Sequence, residues 1–274
     1  MARDMNENVI TSAHNPRVKH LLALQQKSSL RKAEGLFLVE GRRELEHCLE
    51  AGFQLEELYV CPELMDSADH APDAAQVGVD DSHVFQVSPS VYNRIAYRGT
   101  TEGVVATVHS RNLTLTDLQL PENPLLMVME SVEKPGNLGA VLRSADAAKA
   151  DAVIVCDPLT DLFNPNLIRS SIGAIFSVPT VACTSAECIS FLQHQGISIL
   201  TAQLQDSTLY YDTPMTGPTA IVMGTESTGL TQQWREAATA HIRIPMLGCL
   251  DSLNVSVSAA ILLFEAVRQR RKVL

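Results

Sequence analysis

Three polar segments of the chain carry side chains that could perform chemistry. They span residues 133–143, 223–230 and 244–258, and each is rich in Gly, Asn, Ser or Pro after an apolar run. Amide and hydroxyl side chains donate and accept hydrogen bonds, and glycine lets a backbone lie close to a ligand. The three segments therefore favour a site that holds and orients a polar ligand.

The first segment combines Asn137, Gly139 and Arg143. Asn137 can cap the helix predicted to begin there, and Gly139 allows a close backbone approach. Arg143 follows Asn137 by six residues, less than two helical turns, so it can project toward the same end of the helix. Taken alone, the segment is more typical of a capped helix with one surface arginine.

The second and third segments suit different parts of a ligand. Gly224 and Gly229 lie five residues apart after a predicted buried strand, which suits a backbone lying against a flat group. The segment lacks the Lys-Ser/Thr ending of a phosphate loop. The third segment opens an apolar helix with Ser252, Asn254, Ser256 and Ser258. Helix capping explains one or two of these residues, and ligand contact at a helix N-terminus would explain the others.

The elements that must position these segments alternate regularly along the second half of the chain. Strands are predicted at 125–129, 152–155, 197–201, 220–223 and 242–245. Helices are predicted at 138–149, 166–175, 186–194, 231–239 and 255–268. Such alternation predicts a parallel sheet covered on both faces, with ligands bound at the carboxyl ends of the strands.

The first half of the chain predicts a smaller α/β domain. A helix is expected to start at Asn15-Pro16, a buried strand covers 36–40, and a further helix follows Gly41. The stretch around 110–124 is polar and carries two prolines, which indicates a boundary. We therefore predict a domain at 1–112, a linker at 113–123 and a second domain at 124–274.

Composition and charge narrow the function further. The formal net charge is −10 and 46% of residues are hydrophobic, an ordinary globular composition. Residues 1–43 nevertheless hold eight Lys/Arg against four Asp/Glu, and residues 44–112 hold three against twelve. A basic N-terminal face would bind a polyanion locally, although a solvated helix face explains it equally well. With no apolar stretch long enough to span a membrane and no secretory signal, we expect a cytoplasmic protein. The six cysteines form no CxxC pair, so we expect no metal.

Taken in order, the three segments resemble the motifs of the SpoU/TrmH family of the SPOUT superfamily. The matches are N-x-G-x-x-x-R at 137–143, G-x-E-x-x-G-L at 224–230 and I-P-M-x-G-x-x-x-S-L-N-V-S at 244–256. Residues 15–41 also resemble the substrate-binding domain of many members. The resemblance implies a small α/β RNA-binding domain followed by a SPOUT-type parallel-sheet methyltransferase domain with a C-terminal trefoil knot. It further implies a homodimer that uses S-adenosylmethionine to methylate a ribose 2′-hydroxyl in RNA.

Site residues carry over by position from the resemblance. The implied catalytic residues are Asn137, Arg143, Glu226, Ser252 and Asn254. The implied cofactor-binding residues are Gly224, Ile244, Met246 and Leu253. The RNA-binding residues expected from the basic N-terminal face are Arg17, Lys19, Arg31, Lys32, Arg42 and Arg43. The family commonly has glycine where this chain has Ser227.

The role of Arg143 stays open at this stage, because a guanidinium with a pKa above about 12 is a poor general base. It could instead orient the hydroxyl or neutralise a neighbouring phosphate. The extended N-terminal domain favours ribosomal RNA as the substrate, with tRNA as the alternative. A catalytically silent RNA-binding protein of the same fold is a second alternative. A nucleotide-dependent oxidoreductase lacks support, because no GxGxxG fingerprint occurs.

Overall fold

A computed structural model describes residues 8–65, 78–97, 102–225 and 227–271 of the chain. Contacts group the chain into two compact units. One comprises Met1–Arg111 with Phe163–Phe176, and the other comprises Asn112–Leu162 with Ser177–Leu274. Residues 163–176, expected in the second domain, therefore belong with the first unit. The division at 1–112, 113–123 and 124–274 stays a prediction.

The described residues form an α/β arrangement of strands and helices. The strands are β1 (Val9–Ile10), β2 (Leu36–Glu40), β3 (Leu55–Val60), β4 (Val84–Val87), β5 (Val104–His109), β6 (Leu125–Glu130), β7 (Ala152–Cys156), β8 (Thr180–Cys183), β9 (Ser198–Ala202), β10 (Thr208–Leu209), β11 (Thr219–Met223) and β12 (Ala240–Arg243). The helices are α1 (Pro16–Gln26), α2 (Ser28–Glu34), α3 (Arg42–Glu50), α4 (Pro89–Ile95), α5 (Pro135–Ala147), α6 (Pro165–Ser171), α7 (Ala174–Ser177), α8 (Ser185–His194), α9 (Gln232–Ala237) and α10 (Val255–Arg271). Among these helices, none is long and apolar enough to cross a membrane.

The first unit is built on a five-stranded mixed sheet in the order β1-β4-β3-β5-β2. Strand β5 runs antiparallel to both β2 and β3, whereas β4 runs parallel to both β3 and β1. Helix α1 starts as predicted, because the Asn15 side chain accepts a hydrogen bond from the Arg17 amide at 2.8 Å and Pro16 fits the first helical position. Its buried residues Val18, Leu21 and Leu24 join the core of this unit.

The predicted helix at 166–175 is wrong in one respect, because two short helices replace it. Ile172 and Gly173 both adopt positive φ, at 52° and 81°, which ends α6 before α7 begins. A Cβ on Gly173 would lie 2.9 Å from the His47 ring, so this turn requires glycine. Phe163, next to α6, stacks on Phe37 with ring centroids 4.3 Å apart. These contacts explain why the segment belongs with the first unit.

The second unit contains the predicted parallel sheet. Seven strands are hydrogen-bonded in the order β10-β12-β9-β11-β6-β7-β8, and every pair is parallel. Their carboxyl ends therefore meet at one edge, where the polar segments begin. Buried aliphatic side chains and Trp234 form a core on this sheet. The α/β fold with a parallel sheet is confirmed, and the trefoil knot stays a prediction.

A buried carboxylate holds two helix starts at this edge. Glu130, at the end of β6, is 1% exposed. It accepts hydrogen bonds from the Thr231 amide at 2.9 Å and the Thr231 hydroxyl at 2.6 Å, just before α9. The hydroxyl of Ser185, the first residue of α8, lies 3.4 Å from the same carboxylate and accepts a hydrogen bond from the Trp234 indole at 3.0 Å. A buried charge with several donors is stabilised in place, so these loops start from fixed points.

Candidate active site

Asn137, in the first motif, is joined to the third motif by a hydrogen bond and does not cap a helix. Helix α5 begins at Pro135, two residues before Asn137, so the prediction that Asn137 caps this helix is wrong. Proline at the first position needs no amide partner, which explains the earlier start. The Asn137 Oδ1 instead accepts a hydrogen bond from Asn254 Nδ2 at 3.2 Å. Two motifs separated by more than a hundred residues thus meet through their amides.

Asn254 also caps the last helix. Its Oδ1 accepts hydrogen bonds from the Ser256 amide at 3.0 Å and the Ser256 hydroxyl at 2.6 Å. The Ser258 amide donates to the Asn254 carbonyl at 3.0 Å, so helix α10 begins directly after it. This is the capping role predicted for part of the third segment. Capping fixes the backbone of Asn254 and leaves its Nδ2 directed at Asn137.

The second motif folds back tightly on itself. The Thr225 amide donates to the Gly229 carbonyl at 3.3 Å, and the Gly229 amide donates to the Thr225 carbonyl at 3.1 Å. Gly224 lies so close to the returning chain that a Cβ there would be 2.3 Å from the Gly229 carbonyl carbon and oxygen and 2.5 Å from the Leu230 nitrogen. Only glycine fits this approach. Glu226 lies outside the described residues.

Two adjoining clefts open where the three motifs meet. The smaller, of about 130 Å³, is lined by Asn137 and by residues of the loop that follows β6. The larger, of about 590 Å³, has apolar walls that include Leu230 and Leu253 and polar groups that include Ser252. Gly224, Thr225 and Val255 line both clefts. The clefts therefore form one continuous candidate site.

The structure brings together some of the predicted site residues and not others. Asn137 lines the smaller cleft, Gly224 lines both, and the run from Ser252 to Asn254 lines the larger. Arg143 is exposed on α5 and lines neither cleft. Ile244 and Met246 are half-buried and line neither. The roles inferred for these residues stay predictions.

One wall of the larger cleft was not predicted from the sequence. Gln203, Leu204 and Gln205 follow β9 directly, and Arg235 reaches the cleft from α9. The strand before this polar loop was predicted, and β9 lies next to β11 in the sheet. In a parallel sheet, the loop after a strand next to β11 opens at the same edge as the Gly224 loop. This reasoning would have identified the loop at 203–205 as a wall of the cleft.

The six predicted RNA-binding residues have different surroundings in the first unit. Lys19, Lys32 and Arg43 are exposed. Arg17 pairs with Glu57 and lies over the Phe85 ring, with its guanidinium carbon 4.1 Å from the ring centroid. Arg42 is half-buried.

Arg31 does not fit the predicted role, because it is only 4% exposed. Its guanidinium donates hydrogen bonds to the carbonyls of Leu24 and Gln25, at the end of α1. These contacts satisfy carbonyl groups that a helix leaves unpaired at its C-terminus. Arg31 therefore stabilises the fold of this unit, and we leave it out of the RNA-binding surface.

Both parts of the chain match families of known proteins. Residues 124–264 match the SpoU rRNA methylase family, and residues 15–106 match the MRM3-like substrate-binding domain. The 23S rRNA (guanosine-2′-O-)-methyltransferase RlmB of Vibrio parahaemolyticus is 40% identical over 181 residues, which cover 64% of this chain and 73% of that protein.

Solved structures agree over nearly the full length. A crystal structure of an RNA 2′-O ribose methyltransferase is 39% identical, covers 96% of this chain and 99% of its own, and superposes with a TM-score of 0.82. An AdoMet-bound rRNA methyltransferase from Sinorhizobium meliloti is 29% identical, covers 97% and 98% of the two chains, and superposes with a TM-score of 0.85. The motifs meet in one site, and the family match spans more than half of the chain. The protein therefore belongs to the SpoU rRNA methylase family.

Proposed function

We propose that this protein transfers the methyl group of S-adenosylmethionine to a ribose 2′-hydroxyl of 23S ribosomal RNA. The observation that carries the proposal is the continuous cleft in which Asn137 and Asn254 are joined by a hydrogen bond of 3.2 Å. The similarity to methyltransferases that act on 23S rRNA supports the substrate class.

The larger cleft fits the cofactor in size and in chemistry. Its volume of about 590 Å³ lies within the usual range of small-molecule sites. Gly224 presents bare backbone, and Leu230 and Leu253 supply apolar walls for a flat ring. S-adenosylmethionine supplies an electrophilic methyl group when it is bound. Gly224 and Leu253 would hold the cofactor. Ile244 and Met246 are proposed to support the loop that carries Leu253.

The polar residues of the chain would position the ribose. A 2′-hydroxyl is a poor nucleophile, so holding its oxygen in line with the methyl group supplies much of the acceleration. We assign this positioning to the amides of Asn137 and Asn254 and to the hydroxyl of Ser252. Glu226 is proposed to order the Gly224 loop. Arg143 would orient the hydroxyl or neutralise the neighbouring phosphate, since a guanidinium is a poor base.

The exposed position of Arg143 leads us to propose a homodimer in which each site is completed by the partner copy. Apolar side chains are unusually exposed in the same unit, among them Leu247 at 95% and Leu250 at 79%. On α10, Val257 and Phe264 are both about half exposed and lie seven residues apart, so they share one face. An exposed apolar surface of this kind is typical of a protein interface.

Placing a charge on this face should separate the subunits. Phe264→Glu is expected to shift the protein from dimer to monomer and to reduce methyl transfer at least about tenfold, because a carboxylate resists burial in an interface. Light scattering would measure the mass, and Leu159→Glu, an exposed residue of the same unit outside α10 that lines neither cleft, is the control for added charge. A dimeric Phe264→Glu protein would contradict the proposed interface.

RNA binding is proposed on the exposed cations of the first unit. Reversing charge in Lys32→Glu/Arg43→Glu should weaken binding to ribosomal RNA and flatten its dependence on salt, since each phosphate contact contributes to that slope. Arg94→Glu is the matched control, because Arg94 is exposed on α4 of the same unit and was not predicted to bind RNA. Filter binding at several salt concentrations measures both quantities. The control reverses one charge and the double variant two, so equal losses of binding free energy per reversed charge would mean that net charge alone decides affinity.

Methyl transfer itself tests the proposed function. The protein is incubated with labelled S-adenosylmethionine and either unmodified ribosomal RNA or unmodified tRNA, and the products are digested to nucleosides. We expect a 2′-O-methylated nucleoside from ribosomal RNA, and a cytoplasmic location accords with that substrate. Label in tRNA alone would overturn the substrate. No label in either RNA, from protein that binds the cofactor and ribosomal RNA, would favour the silent RNA-binding protein.

A further inference from the structure

Three cysteine thiols meet at the carboxyl edge of the parallel sheet, and none of them lines the clefts described above. They are Cys156 at the end of β7, Cys183 at the end of β8 and Cys188 in the first turns of α8. Their sulfur atoms all lie within 4.8 Å of one another. Cys156 and Cys188 are fully buried, and Cys183 is partly exposed. The cluster thus has an interior base and one side open to solvent.

The fold brings together residues that the sequence separates. Cys156 and Cys183 are register partners in the parallel β7–β8 pair, although they lie 27 positions apart along the chain. Cys188 follows the capping box of α8. In this box the Thr184 hydroxyl accepts a hydrogen bond from the Glu187 amide, and the Glu187 carboxylate accepts one from the Thr184 amide. Strand pairing and a capped helix hold side chains more firmly than a loop does. The three sulfurs are therefore preorganised.

We propose that Cys156, Cys183 and Cys188 form a thiolate site for a soft divalent cation of the zinc class. No metal was expected from the sequence, because the cysteines form no CxxC pair. The three cysteines come together through the pairing of β7 with β8 instead. Soft thiolate ligands select soft cations such as zinc over magnesium or calcium.

The geometry suits such a cation. A zinc–sulfur distance of about 2.3 Å requires sulfur–sulfur separations of about 4 Å in a trigonal or tetrahedral arrangement. Sulfurs within 4.8 Å of one another reach these separations by small rotamer adjustments. A fourth coordination position would face the open side of Cys183, where water can supply the ligand.

The surrounding charge also favours a divalent cation. The carboxylates of Asp157 and Glu187 both act electrostatically on Cys183. Asp157 is held in place by hydrogen bonds from the Ser185 hydroxyl at 2.6 Å and the Ser185 amide at 3.2 Å. Once a bound cation has displaced the thiol protons, its positive charge would offset the three thiolates and the two neighbouring carboxylates. Binding would release the thiol protons to solvent, so no electrons are transferred.

A disulfide accounts for the cluster less well. It would join two of the three sulfurs, require an oxidant and leave the third thiol unexplained. A metal site requires that all three sulfur atoms lie close together, whereas a disulfide requires only two.

Zinc binding and cysteine protection test the site in the full-length, reduced protein. After incubation with Zn²⁺ and removal of the excess, elemental analysis should find one zinc per chain. Zinc should protect Cys183, the partly exposed member of the cluster, from alkylation, as read by peptide mass spectrometry, while the exposed Cys249 is modified with or without it. Cd²⁺ should produce the ultraviolet charge-transfer absorption of a thiolate complex.

Two variants separate the cluster from the other thiols. Cys183→Ser is expected to weaken Zn²⁺ binding by more than about 100-fold, since outer-shell changes alone reduce metal affinity by about 10- to 100-fold. Cys249→Ser, in an exposed residue outside the cluster, should bind as the parent does. No bound zinc, equal affinity in Cys183→Ser, or loss in Cys249→Ser would each overturn the proposal. If Cys183→Ser fails to fold, the protection pattern of the parent protein decides it.

Discussion

Replacing Asn254 with alanine is expected to lower the rate of methyl transfer by about 10²-fold or more, the cost of displacing a reacting group by about 1 Å. The variant loses the hydrogen bond from Asn254 Nδ2 to Asn137 and the cap on α10 together. Single-turnover methylation with saturating RNA and cofactor measures the rate. Loss of the cap alone should lower stability by about 1 kcal/mol, which thermal unfolding measures.

Asn254→Ser separates these two contributions. Serine caps a helix about as well as asparagine, but its short side chain cannot reach Asn137. We expect Asn254→Ser to recover stability and to stay slow in methyl transfer. Asn137→Ala should then add little further loss, because two residues joined in one network are not additive. Full activity in Asn254→Ser would show that Asn254 acts only as a helix cap.

Gly224→Ala is expected to weaken S-adenosylmethionine binding by at least about 100-fold. The added Cβ would lie 2.3 Å from backbone atoms of Gly229, a distance that no side-chain rotation can relieve. The loop must move, and it lines both clefts. Calorimetric titration with the cofactor measures the affinity, and circular dichroism reports whether the sheet remains intact.

Gly217→Ala provides the matched control for this loss. Gly217 precedes β11 in the same unit, and a Cβ there meets nothing within 4 Å. We expect cofactor binding to be unchanged and stability to be unchanged or slightly higher, because alanine restricts the unfolded chain. Normal binding in Gly224→Ala would contradict the assignment of this loop to the cofactor.

Local sequence patterns predicted much of the fold because the strands are short apolar runs with clear ends. The strands at 125–129 and 220–223 appear as Leu125–Glu130 and Thr219–Met223, within one residue of the predicted bounds. Gly224 and Asn254, which the motif resemblance assigned to one site, both line the larger cleft, and their roles stay predictions. The order of the motifs along the chain carried this information, since a parallel sheet collects its loops at one edge.

Other features depended on contacts that no local pattern encodes. Strand β8 was missed because Thr180–Cys183 follows a proline and shows neither a run of large aliphatic side chains nor an alternating pattern. The break at Ile172 depends on the packing of Gly173 against His47. Arg31 looks like a surface cation in a basic sequence, yet its burial follows from the turn between α1 and α2. A partner distant in sequence decided the first two outcomes, and a turn between two neighbouring helices decided the third.

The strand order of the large sheet has a consequence for how the protein is made. Strand β12 lies between β9 and β10, both of which are synthesised before it. These pairings join residues some 30 to 40 positions apart in sequence, and such non-local contacts form slowly. The growing chain must therefore leave one side of β9 open until residue 243 has emerged from the ribosome. The cleft segment at 252–254 follows later still, so the site should be completed only in the last steps of folding.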